Sequence, residues 1–472
     1  MGNQLKRLAK HSVIYGLGGV VSRILAVLLL PLYTAYLAPA DYGAIELLIA
    51  GSAVLVTVLR AGISSAFFRF YFDADDPESR VLVVRTAFWF TMASASAGLV
   101  AGLALAAPIS DALFAADRTN LVRAAFVGLW AQMNYEQLTS LFRVEERSLG
   151  FVAASLTNIL LTVAATVLLV VVLERGAVGV IVGNFTGTLL VYLGLLGYRR
   201  YQLGFQFSRR LLREMNRFGL PLVPSALALW LLNFSDRFLL NGLADTGEVG
   251  VYSIAVRIAS ALMLLLVAFR MAWPAFAYSI SDDDEARNTY SLVLTYLVYV
   301  ASWLALTLGL LAPWLVRLLD PAYARASPLV APLAFATVAY AAYVVVAIGV
   351  GRAKQTQFNW VITGAGALVS VALNLILVPR YGAEGTAVAA VVAFTVMFCG
   401  MTVNSQRVFR VPYQWRRVLT LVGVAVGLTL LGKTLEVPLA LAIALAASYP
   451  LVLLAAGFYA PLERARLRRV LG

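Results

Sequence analysis

The sequence predicts an all-α polytopic membrane protein with about fourteen transmembrane helices, arranged as two parallel six-helix lobes around a central cavity plus two C-terminal helices. Three observations predict it. Of 472 residues, 61% are hydrophobic and 13% charged, against about 45–50% and 25% in a water-soluble domain. The apolar residues fall in runs of about 20, enough to cross a hydrocarbon core. Finally, the chain matches itself at an offset of about two hundred residues.

Apolar runs between charged or Pro/Gly punctuation fall at 12–37, 42–71, 81–106, 119–142, 150–173, 177–198, 214–241, 248–279, 289–318, 326–350, 356–378, 382–404, 415–432 and 437–459. No connection between them has room for a soluble domain. The opening "MGNQLKRLAKH" is basic and precedes an apolar run longer than a signal-peptide core, so an uncleaved first span is expected. A myristoylation signal would need Ser or Thr where Lys6 stands.

The charge pattern orients the spans. With the N-terminus inside, 24 of the 37 Lys and Arg residues lie in cytoplasmic segments, including Arg199, Arg200, Arg209, Arg210, Arg213 and Arg217 in one connection. External segments hold seven: Arg118, Arg123, Arg175, Arg317, Arg325, Arg380 and Lys433. This positive-inside bias predicts a multi-pass protein with both termini cytoplasmic. It accounts for most of the +13 net charge, so no nucleic-acid partner is expected. The single cysteine, Cys399, excludes an internal disulfide and a cysteine-rich metal site, and with His11 as the single histidine a His-based metal centre is excluded too.

The repeat aligns "YLAPADYGAIELL" with "NGLADTGEVGVYSIA", placing Gly43 on Gly250 and Asp41 on Glu248. The acidic turn "DADD" (73–76) falls beside "SDDDE" (281–285), and "ERGAVGVIVG" falls on "RYGAEGTAVA", placing Gly176 on Gly382 and Gly179 on Gly385. The unit contains an even number of spans, so both copies have the same orientation, an arrangement found in transporters with a substrate site between the halves. The expected organisation is an N-lobe (1–205), a C-lobe (206–410), and spans 13 and 14 with a basic cytoplasmic tail (411–472). The acidic turns have the composition of a divalent-ion loop or of a solvated turn, and the second is the expectation. Pro31, Pro221, Pro224, Pro274 and Pro332 interrupt spans and predict bends.

Six arginines remain inside the spans: Arg23, Arg60, Arg69, Arg237, Arg257 and Arg270. They occupy spans 1, 2, 7 and 8, which are repeat equivalents. A charge at the bilayer centre costs at least about 2.5 kcal/mol, so such groups face protein or water. Arg69 and Arg270, toward cytoplasmic ends, can instead snorkel, and Arg237 can pair locally with Asp236. The intramembrane acids Glu46, Glu136 and Asp236 are too few to neutralise six arginines one for one. A cationic cavity for an anionic substrate follows, and the guanidinium fork suits phosphate oxygens. Arg60 and Arg69 are nine residues apart, half a rotation on an ideal helix. Both can face one cavity only if Gly62 or Ser64–Ser65 bends the span.

"SRILAVLLLPLYTAYLAPADYGAIELL" resembles the opening of Wzx-type polysaccharide flippases, and "NFSDRFLLNGLADTGEVGVYSIAVRI" resembles the second-lobe signature of the same family. That family belongs to the multidrug/oligosaccharidyl-lipid/polysaccharide flippase superfamily. The resemblance implies translocation of an undecaprenyl-diphosphate-linked oligosaccharide between leaflets of the bacterial cytoplasmic (inner) membrane, with cavity arginines holding the diphosphate. The role falls first on Arg23, Arg60, Arg237 and Arg257, then on Arg69 and Arg270. By the same resemblance, spans 13 and 14 form a groove for the lipid tail, and polysaccharide polymerase machinery and membrane lipids are expected partners. No cofactor is expected and no Walker motif is present; coupling to membrane potential, H⁺ or Na⁺ would involve Glu46 or Asp236, each of which also reads as a structural salt bridge. Two alternatives stand beside this reading: a multidrug exporter of the same superfamily, which would want cavity carboxylates, and a polytopic glycosyltransferase or polymer ligase, which would want a larger external loop.

Overall fold

A computed structural model describes residues 29–200 and 203–459. Arg23, His11, the basic tail and most of the first expected span lie outside the described residues. Within them every regular element is helical: α1 (Leu30–Tyr36), α2 (Pro39–Arg60), α3 (Ile63–Asp73), α4 (Pro77–Ala104), α5 (Ala106–Leu113), α6 (Thr119–Val144), α7 (Ser148–Val167, extended by a π turn, Leu168–Val172) and α8 (Gly176–Arg199). There follow α9 (Arg209–Gly219), α10 (Val223–Leu243), α11 (Thr246–Ala259), α12 (Ala261–Ser279), α13 (Asp283–Arg317), α14 (Ser327–Arg352), α15 (Asn359–Val408), α16 (Trp415–Thr434) and α17 (Leu439–Ala455). The chain divides into two compact units that join in sequence at Gly250 and Val251.

Nine described helices are long and apolar enough to cross a membrane, ten if the bent α9–α10 segment counts as one span. This is fewer than fourteen for reasons visible in the chain. The expected spans 11 and 12 form one 50-residue run, α15, folded at Gly382. The first lies mostly outside the described residues, while the eighth, divided at Ser260 into α11 and α12, still counts through α12. α6 carries Gln132, Asn134, Glu136 and Gln137 in close succession, and α17 has 17 residues.

The second expected span, 42–71, is two helices. Ala61 (φ 48°) and Gly62 (φ 76°) both adopt left-handed backbone, ending α2 and restarting the chain as α3. Gly62 serves here because it has no Cβ. A Cβ would run into the backbone of Gly219, and one on Gly219 would meet Gly62, so α3 and the end of α9 touch main chain to main chain.

The helix starts explain the acidic repeat. Asp76 accepts from the Ser79 N–H at 2.7 Å at the N-cap of α4, and Asp282 accepts from the Glu285 N–H at 2.7 Å at the N-cap of α13. The turns "DADD" and "SDDDE" are therefore capping sequences, with acidic first turns that suit the positive end of a helix. No cluster of metal-ligating side chains occurs among the described residues.

The third repeat match has a shared backbone cause. Gly176 (φ 54°) and Gly382 (φ 52°) are both left-handed, and each turns its helix back on itself. In the first copy Gly179 lies against Leu169, Gly183 against Thr166 and Gly187 against Thr162, pairs that bracket Glu174–Arg175. In the second copy Gly385 lies against Leu377, Gly366 against Met397 and Gly400 against Ile362, pairs that bracket Tyr381. The two antiparallel hairpins stand one repeat apart.

Candidate functional site: buried ion pairs of the first unit

The start of α2 is fixed by close backbone contact. A Cβ on Gly43 would collide with the Thr246 carbonyl, and one on Gly250 with the Pro39 carbonyl. The two glycines matched by the repeat thus face each other, packing the first turns of α2 and α11 together. Asp41 beside them bonds Arg118 Nη1 at 2.8 Å.

One turn further along α2 is Glu46, which is buried. α10 packs on this face: Trp230 Nε1–H donates to the Ala50 carbonyl at 2.8 Å, and the Phe238 ring lies over Gly51. This brings Arg237, 7% exposed, beside Glu46. Its Nε lies 3.8 Å from Glu46 Oε2 and its Nη1 lies 3.3 Å from Asp236 Oδ1. Nη1 also donates to the Asn233 carbonyl at 3.2 Å, and the Phe234 ring lies 5.3 Å from the guanidinium carbon. Two carboxylates thus approach one guanidinium. Isolated charges would not persist at this depth, and the pairing is what makes the burial tolerable. A cavity of about 220 Å³ lined by Leu47, Gly51, Leu55, Leu129, Trp230 and Phe238 lies along the same helices.

Arg60 occupies a second setting, at the end of α2. Its Nη1 lies 2.7 Å from Glu136 Oε2 on α6, and its Nη2 donates to the Met133 carbonyl at 3.4 Å. Gln132 Nε2 donates to the other Glu136 oxygen at 2.9 Å, one helical turn away. The arginine side chain is 16% exposed and the glutamate 38%, so the pair is partly open to its surroundings.

The other sequence candidates lie elsewhere. Arg69, on α3, is exposed, paired with Asp73 at 3.3 Å and stacked on Phe218 at 4.7 Å, the arrangement of a snorkelling side chain. In the second unit Arg257 is half-buried in the last turn of α11, and Arg270 donates to the Tyr340 hydroxyl at 3.0 Å from an exposed position on α12. The structure thus brings Arg237 together with both candidate coupling acids, and gives Arg60 a partner of its own. Sequence reasoning missed the Arg118–Asp41 pair and the buried Arg199, held by Glu145 at 2.6 Å. The i, i+4 spacing of Gln132 and Glu136 was the available signal for the Arg60 setting.

No curated relative matches the chain by sequence. Among solved structures it is similar to "Lipid II flippase MurJ, inward closed conformation", with a TM-score of 0.76 at 14% identity, covering 95% of this chain and 99% of that one. It is also similar to an inward-facing multidrug resistance MATE family transporter of the MOP superfamily, with a TM-score of 0.69 at 15% identity over 87% and 95% of the two chains. An outward-facing structure of such a transporter matches with a TM-score of 0.59 at 15% identity over 88% and 96%. The fold is therefore the multi-pass membrane fold of these transporters. A family model described as polysaccharide biosynthesis protein matches residues 35–320, which take in the second of the two resembling stretches and the latter half of the first. The chain belongs to the polysaccharide biosynthesis protein family.

Proposed function

We propose that the protein is a flippase that moves an undecaprenyl-diphosphate-linked oligosaccharide from the inner to the outer leaflet of the bacterial cytoplasmic membrane by alternating access. The observation that carries this reading is Arg60, a guanidinium inside a membrane helix whose counter-ion, Glu136, is partly exposed. A diphosphate entering beside Arg60 replaces a single carboxylate with a doubly bonding anion, the geometry for which arginine is suited. The family and the fold support the same reading.

In this scheme Arg60 is the first anion site, with Arg257 and Arg270 the candidates in the second unit. The Glu46–Asp236–Arg237 cluster is the coupling site: two carboxylates share the neighbourhood of one guanidinium, so an entering H⁺ or Na⁺ can compete with Arg237 for them. Outward transfer of an anion across an inside-negative membrane is downhill by about 2.3 kcal/mol per charge per 100 mV, so potential alone contributes to the drive. Release of the product at the outer leaflet delivers it to polymerising machinery.

The carboxylates Glu46 and Asp236 favour a second reading, a multidrug exporter taking organic cations. Reconstituted protein separates the two. Protease-free proteoliposomes loaded with the lipid-linked oligosaccharide would show wild-type translocation, reduced at least tenfold in Arg60→Ala, and no cation efflux. Dye efflux that depends on Glu46, with no lipid translocation, would reverse the assignment.

A further inference from the structure

α7 and α8 run back from their hairpin as a closed pair and then part. A Cβ at Gly183 or Gly187 would collide with Thr166 or Thr162, whereas at Gly194 and Gly197 it would meet nothing within 4 Å. Where the helices separate, a groove of about 440 Å³ opens, lined by Phe142, Ala153, Ala154, Leu161, Leu195 and Tyr198. Its size falls within the range of ligand sites, about 300–1,000 Å³. The groove faces lipid, since only 11% of the span Ser148–Val172 is buried inside the protein.

One end of the groove is cationic. Phe142, on its wall, carries the Arg199 guanidinium 4.5 Å above its ring. Arg199 is held by both Glu145 oxygens, at 2.6 and 2.8 Å, and Arg147 approaches the same carboxylate at 3.6 Å with 59% of its side chain exposed. α7 begins directly after Arg147 with no side-chain cap and no acidic residue in its first turn, so the positive end of its dipole is not offset there. Around this end Arg143, Arg147, Arg199 and Arg200 stand against Glu145 and Glu146. The loop charge asymmetry assigns it to the cytoplasmic leaflet.

We infer that the groove binds an anionic glycerophospholipid of that leaflet, with one acyl chain between α7 and α8 and its phosphate at the start of α7 beside Arg147. An apolar channel ending in fixed positive charge is complementary to a molecule with a single anionic group at the end of a chain. A zwitterionic lipid gains the same chain contact but brings an ammonium group to a cationic mouth. The inference stands on the membrane fold and is independent of the transported substrate. The site lies apart from Arg60 and from the Glu46 cluster, which leaves it a structural or modulating lipid site.

Native mass spectrometry of the full-length protein in detergent, titrated with phosphatidylglycerol or phosphatidylcholine, tests it. One phosphatidylglycerol is expected to be retained in preference to phosphatidylcholine. Arg147→Gln is expected to weaken retention about fivefold, the effect of one arginine near a charged lipid surface. Gly194→Leu, whose side chain grows into open space, is expected to abolish it with helical content unchanged; Ala153→Leu is the second groove-filling variant should the first not fold. Equal retention of the two lipids, or undiminished retention in the folded groove-filled variant, would overturn the inference. So would displacement of phosphatidylglycerol by equimolar undecaprenyl phosphate, or a wild-type dimer that Gly194→Leu splits.

Discussion

Arg60 on α2 and Glu136 on α6, residues more than seventy apart in sequence, form a 2.7 Å ion pair between their helices. Exposed pairs are worth about 0–1 kcal/mol, and breaking buried ones costs about 3–5 kcal/mol. With Glu136 partly exposed, Glu136→Gln is expected to cost about 1–2 kcal/mol, read as a lower thermal midpoint of the purified protein. The exchange Arg60→Glu/Glu136→Arg is expected to restore that midpoint without restoring translocation, because the proposed anion site requires the cation on α2. Restored translocation in the exchanged protein would reduce Arg60 to a structural partner.

The glycine contacts separate sharply into two classes. Gly43→Ala is expected to prevent folding, because its Cβ would collide with the Thr246 carbonyl and main chain cannot step aside as a flexible side chain can. Gly423→Ala, in α16, meets nothing within 4 Å and is expected to stabilise by about 0.4–1 kcal/mol through the unfolded chain. Size-exclusion profiles and melting curves of the two variants check both outcomes.

Glu46→Gln and Asp236→Asn each remove one carboxylate from the buried cluster on α2 and α10. On the proposed coupling role, either variant translocates substrate at a rate that no longer responds to an imposed H⁺ or Na⁺ gradient, while the response to membrane potential persists. Gradient-dependent rates equal to wild type in both variants would leave the cluster as a packing feature.

Asp76 lies outside the spans, and its carboxyl is held below the usual aspartate value of 3.8 by the Ser79 backbone N–H and then the Ser79 hydroxyl. A depressed folded-state value means that the cap contributes above the ordinary aspartate range and is lost as pH falls through the lower folded value. The difference in thermal midpoint between wild type and Asp76→Ala is therefore expected to be constant at neutral pH and to shrink on acidification below about pH 4.

The spans were legible in the sequence because a bilayer demands long apolar runs, and the observed helices begin within a few residues of them. The repeat was legible at Gly43, Gly176, Gly250 and Gly382 because backbone collisions and left-handed turns admit little else. The break after Arg60 was only half legible. Gly62 announced it, but Ala61 in the same left-handed region follows no local rule and is held by its surroundings. The local pair of Arg237 with Asp236 was legible, but partners distant in sequence were not: nothing local to α2 indicates that Arg60 meets Glu136 or that Glu46 meets Arg237. Such choices are made by helix packing, which brings together residues from opposite ends of a unit.

The distance in sequence between Arg60 and Glu136 also sets an order of assembly. Ribosomal synthesis delivers α2 to the bilayer well before α6 has been made. Until then Glu136 is absent, and an arginine held at the centre of a span would carry an insertion penalty of about 2.5–3.5 kcal/mol on translocon scales. The left-handed break immediately after it lets α3 fold separately, so that Arg60 sits at a helix end able to reach interfacial water. Arrival of α6 then converts a loosely seated helix into a neutral, locked pair, and the first unit closes in the order in which its helices are synthesised.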